Sequence, residues 1–82
     1  MKQIVVLQRG WVVVGQVTRT ENEVGITDAS VIRRWGTKAG LGELASNGPT
    51  PSTVLDPSPT IRVHPLAVVL SIDCVEEKWT HG

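Results

Sequence analysis

An 82-residue chain makes one domain, and folding hides only about 60 to 65% of the surface that the unfolded chain exposes. Eight basic and eight acidic side chains cancel; general nucleic-acid binders carry a basic excess, so long DNA or RNA is not an expected partner. Cys74 is the single cysteine, which excludes an intramolecular disulfide, and one Cys with two His falls short of the four ligands of a structural zinc site. No cofactor is expected. With disulfide and metal set aside, the staple left to a thin core is self-association, so the chain is expected to be a homo-oligomer, the alternative being a marginal but adequate monomer. The lone thiol fits a reducing compartment. The longest apolar runs, Ile4–Leu7 and Leu66–Leu70, are far too short to cross a bilayer, and Gln8 and Arg9 interrupt any signal-like stretch. The expectation is a soluble, cytoplasmic protein without a membrane partner.

Thirteen valines and five isoleucines dominate the apolar content, while Phe and Tyr are absent. β-branched side chains suit pleated surfaces better than helices. Lys2–Gln8 reads as a first strand and Arg9-Gly10 as a turn. Trp11–Thr18 reads as a second strand with valine on both faces, hence covered on two sides. After a polar tip at Arg19–Asn22, Glu23–Asp28 reads as a third strand, and Ser30–Trp35 as a fourth beyond a turn at Asp28-Ala29.

The period then changes. Leu41, Leu44 and Ala45 follow helical spacing on one apolar face. Thr37 is the expected N-cap and Asn47-Gly48-Pro49 the stop. Four of the five prolines fall within Pro49–Pro59, which reads as a stiff extended loop with little regular hydrogen bonding. Thr60–His64 reads as a short strand, Pro65 as a corner, and Ala67–Val75 as the last strand, with Val68, Leu70, Ile72 and Cys74 on one side. The fold class is therefore α+β and β-rich: a small antiparallel sheet of five to six strands with one short helix, over residues 1–75. The segment 76–82 reads as a frayed polar tail.

One corner concentrates unusual chemistry. Arg33, Arg34 and Lys38 lie just ahead of the helix, at an end that free amides and the macrodipole already make positive. The helix has no acid before Glu43. An anion seated there reverses an otherwise unfavourable arrangement, the arginines and Lys38 neutralising phosphate, Thr37 donating a hydrogen bond and Trp35 stacking on a flat ring. The competing account leaves Lys38 in water and pairs Arg34 with an acid such as Asp28. Alternation along the strand sends Arg33 and Arg34 to opposite faces unless a bulge redirects one. Other constellations are weaker. Ser52, Ser58 or Ser71 with His64 and Asp73 has no nucleophile elbow. Cys74 reads as an inert core thiol. Gly40-Leu41-Gly42 lacks the spacing of a dinucleotide fingerprint.

The run Trp35-Gly36-Thr37-Lys38-Ala39-Gly40-Leu41-Gly42-Glu43-Leu44-Ala45, followed by Gly48, a Pro-containing loop and the pair Asp73-Cys74, resembles a family of small uncharacterised phage and prophage proteins. The resemblance covers residues 29 to 75. It implies viral origin, the host cytoplasm and a small accessory role, by analogy the disarming of a host defence through sequestration of a nucleotide messenger. The expected function is a non-catalytic, homo-oligomeric phage protein that binds a phosphorylated small molecule through Arg33, Arg34, Trp35, Thr37 and Lys38. The alternative is a protein–protein module, a host-factor inhibitor or small assembly component, whose exposed Trp and Arg are hot spots.

Overall fold

A computed structural model describes residues 1–79. One antiparallel sheet of six strands carries one short helix. The strands are β1 (Lys2–Leu7), β2 (Val12–Arg19), β3 (Val24–Arg34), β4 (Val54–Ser58), β5 (Ile61–Val63) and β6 (Val68–Asp73), and the helix α1 spans Leu41–Asn47. The order across the sheet is β4-β3-β2-β1-β6, with β5 pairing β3 beside β4.

The two valine faces of β2 are both covered. Val14 joins Ile4, Ile32, Leu44, Ala45, Cys74 and Trp79 on the helix side of the sheet. Val13 and Val17 join Val5, Leu7, Val24, Ile26 and Ala29 on the other side, where Ile61, Val63 and Val68 close over them. The sheet is therefore curled, with its first and last strands drawn towards β5, and Arg19 of β2 reaches across to donate to the Ser71 hydroxyl of β6 at 3.2 Å. Ile4 and Val5 are neighbours in β1 and both are fully buried, one in each cluster.

The expected third and fourth strands are one. β3 runs unbroken for 11 residues, and Asp28 is a bulge within it rather than a turn. Opposite β2 the register steps from Val14↔Ser30 to Gln16↔Thr27, so β3 carries one extra residue, and Asp28 takes a φ of 49°. Gly15 makes room for the bulge: a Cβ there would stand 2.6 Å from the Thr27 carbonyl oxygen. The kink splits the duties of β3. Val24–Ile26 pairs with β5, while Ala29–Arg34 pairs with β4.

Three further expectations change. Part of the proline-rich loop is a strand, β4, with Pro57 opposite Ser30; a sheet edge tolerates a residue that has no N–H to give. The expected N-cap, Thr37, instead donates its hydroxyl to the Gly40 carbonyl at 2.9 Å, and Gly40 caps α1 with φ 84°. The supposed tail folds over Glu76–Trp79 as a 3-10 turn, and residues 80–82 of that expectation lie outside the described residues. Trp79 is 7% exposed. Its Nε1 donates to the Ala45 carbonyl at 3.2 Å, which also accepts from the Val75 amide at 3.0 Å, so the tail satisfies a carbonyl in the last turn of the helix. Gln16 donates to the Glu76 carboxylate and holds it below the usual glutamate range. On β6 a register shift sends Val68 to the curled side, while Ile72 and Cys74 stay on the helix side, so the four do not share one face. Among the described residues no helix is long and apolar enough to cross a membrane.

Candidate functional site

At the corner, β3 ends in a second irregularity. The register steps from Ile32↔Leu55 to Arg34↔Val54 and leaves Arg33 as the extra residue. The bulge brings both arginines to one recess of about 180 Å³, shared with Val54. Strict alternation does not keep them apart. The recess is small, and Arg33 is already matched by the Asp56 carboxylate of β4, with both side chains largely in solvent. Arg34 and Lys38 are exposed. The start of α1 is answered from within the chain, because the Ala39 amide donates to the Glu43 carboxylate at 3.2 Å. Trp35 is 43% exposed and its ring lies towards Gly40. Its carbonyl accepts from the Thr53 hydroxyl, and the Gly36 carbonyl accepts from the Thr50 hydroxyl, both at 2.7 Å. The corner is thus fastened to the following loop through its backbone. The five residues Arg33, Arg34, Trp35, Thr37 and Lys38 are near one another in sequence; Arg33 and Arg34 line the recess with Val54, and Thr37 is spent on Gly40.

A much larger hollow lies on the helix side of the sheet. A cleft of about 810 Å³ has Val14, Asp28 and Ser30 as its floor. Pro49, Thr50, Pro51, Leu55 and Pro57 line it from the proline-rich segment, and Lys2, Lys78 and Trp79 from the two ends of the chain. The volume falls within the range of small-molecule sites, and the lining has their usual make-up of apolar surface with a few polar groups. Each element contributes for a local reason. The bulge turns Asp28 out of the ladder, the proline-rich segment supplies rigid lining, and the 3-10 turn brings Lys78 and Trp79 to it.

The electrostatics are pointed. Lys2 holds its ammonium 5.8 Å from the centre of the Trp79 ring, a cation–π contact between two residues of the lining. Among the described residues, neither lysine nor Asp28 forms an ion pair. Two cations and one carboxylate thus line one cleft without neutralising each other, a set of groups suited to a ligand with an anionic part and a hydrogen-bond-donating part. Asp28 keeps a left-handed backbone away from any turn, and such outliers gather at binding sites.

The other reactive side chains have structural employment. The His64 Nδ1 accepts from the Leu66 amide at 3.1 Å. Burial pushes the Cys74 thiol up to about 11, which keeps it protonated near neutrality. Reading the chain linearly missed the cleft because its lining comes from β1 to β4, the loop after α1 and the tail. One signal for the bulge was present, a glycine inside a valine-rich strand facing an Asp inside another. Compared with protein-family models and with curated proteins, the chain matches none.

Proposed function

We propose that this protein binds, rather than transforms, a phosphorylated small molecule, and that the ligand sits in the cleft between the sheet, the proline-rich segment and the 3-10 turn. The observation that carries the reading is that Lys2, Lys78 and Asp28 line one hollow of about 810 Å³ together with Trp79. Lys2 and Lys78 take the phosphate as point charges. The Asp28 carboxylate accepts hydrogen bonds from ring or sugar donors, and Ser30 and Thr50 add hydroxyls. Leu55, Val14 and the proline rings cover the flat part. This keeps the ligand class expected of the corner and moves the site. The likeness of Trp35–Ala45 to small phage proteins supplies the context of a phage accessory protein that sequesters a nucleotide messenger in the host cytoplasm.

A thermal-shift panel of mononucleotides and cyclic dinucleotides tests it. A true ligand at a hundred times its Kd stabilises by about 2.7 kcal/mol. Lys78→Ala and Asp28→Asn should remove most of the shift, while Arg34→Ala at the corner should leave it intact. A shift that survives both cleft variants and disappears with Arg34→Ala returns the site to the corner. The second reading, a protein–protein module, is favoured by the exposure of Trp11 at 58% and Trp35 at 43%. A flat panel, together with host-protein capture that Trp35→Ala abolishes, decides for it.

A further inference from the structure

The sheet has three strand edges, and two are defended. β4 carries Pro57 and the Arg33–Asp56 pair, and β5 is three residues long, flanked by Pro59 and Pro65, with Arg62 paired to Glu23. Prolines, charges and shortness are the devices that keep edges from pairing. β6 has no proline and no basic residue, and it exposes Val69 at 61% and Leu70 at 46%, with Leu66 at 79% and Val75 at 41% beside it. Among the described residues β6 pairs with β1 and with no other strand. The Cys74 amide donates to the Lys2 carbonyl at 3.1 Å, so Leu70, Ile72 and Cys74 direct their amides and carbonyls towards β1. By the alternation of an antiparallel ladder, Ser71 and Asp73 direct theirs away.

We propose that β6 pairs antiparallel with β6 of a second copy about a two-fold axis at Ile72, joining two sheets into one. This proposal is independent of the ligand cleft. The charges select a second copy as the occupant. Ser71 and Asp73 lie on the same face as Arg19, whose guanidinium rests on the Ser71 hydroxyl at 3.2 Å and has no carboxylate partner among the described residues. Among the described residues, Asp73 accepts a side-chain hydrogen bond from the neutral Gln3 amide at 2.7 Å and has no cationic partner. Pairing about Ile72 sets Ser71 opposite Asp73 of the second copy, so each Arg19 meets a carboxylate across the axis and both pairs form at once. The same register lays the exposed Val69 end of one strand along the exposed Val75 end of the other. Two-fold pairing uses up this edge in both copies, so the assembly closes at two.

Sedimentation velocity over a wide concentration range reads the outcome. The native chain should pass from monomer to dimer and no further. Arg19→Glu sets like charges across the axis and should weaken the dimer at least about tenfold. The double swap Arg19→Glu with Asp73→Arg should recover it. Ser71→Pro removes an outward amide that β1 does not use, and should give a monomer with an unchanged circular dichroism spectrum. A native chain that stays monomeric throughout, a higher oligomer, a dimer indifferent to Arg19→Glu, or one that the swap fails to restore overturns the proposal. If Ser71→Pro does not fold, the charge series decides alone.

Discussion

Asp28 holds a left-handed backbone inside a strand, a conformation that costs a non-glycine residue about 1 kcal/mol or more. Nothing in the ladder requires a carboxylate there, since the extra residue of a bulge is unpaired whatever its side chain. Glycine takes the same φ without strain. Asp28→Gly should therefore stabilise the fold by roughly 0.5 to 1 kcal/mol while it weakens binding in the cleft. Chemical denaturation together with ligand titration checks both halves. Lower stability in the variant would mean that the aspartate serves the fold, and its place on the cleft floor would lose its functional meaning. The corner arginines contrast with it. Arg33 has its own partner in Asp56 and stands in water, where such pairs contribute about 0 to 1 kcal/mol.

At the scale of elements, the segments that were legible are those governed by neighbours in sequence. Leu41, Leu44 and Ala45 announce a helix, and Asn47-Gly48-Pro49 announces its end, because period and capping are local. Valine on both faces of β2 announces a doubly covered strand. What stayed hidden depends on distant partners. Asp28-Ala29 has the composition of a turn, and only Gly15 across the sheet makes it a bulge. Pro57 reads as loop until β4 is seen to be an edge strand, paired with β3 on one side. Trp79 reads as a tail residue until the Ala45 carbonyl receives it. The corner was visible because its residues are consecutive, and the cleft was not, because its lysines are 76 positions apart, at Lys2 and Lys78. The tail contact also fixes Gly48. Its φ is 81°, and a Cβ there would overlap the Lys78 carbonyl oxygen. Gly48→Ala should cost about 2 to 3 kcal/mol in urea denaturation. It should also shift tryptophan emission to the red as Trp79 is displaced, and unchanged emission would show that the tail docks without the close approach.

The whole molecule has two thin apolar layers that share one set of strands. Ile4 faces the helix side and Val5 the curled side, and Val14 and Val13 repeat the division on β2. Neither layer keeps its geometry when the shared strands separate, so the layers should melt together although few side chains link them directly. Trp79 offers a probe of one layer, being the buried tryptophan beside the exposed Trp11 and Trp35. Far-ultraviolet circular dichroism follows the sheet as a whole. Ile26→Val trims the curled layer and Ile32→Val the helix layer, each at a cost of about 1 kcal/mol. In a domain of this size that lowers Tm by about 4 to 8 °C. Both variants should shift the fluorescence and dichroism transitions together and by the same amount. If Ile26→Val lowers the dichroism midpoint and leaves the Trp79 transition in place, the helix layer stands by itself, and the cleft, which rests on that layer, is insulated from the curled side of the sheet.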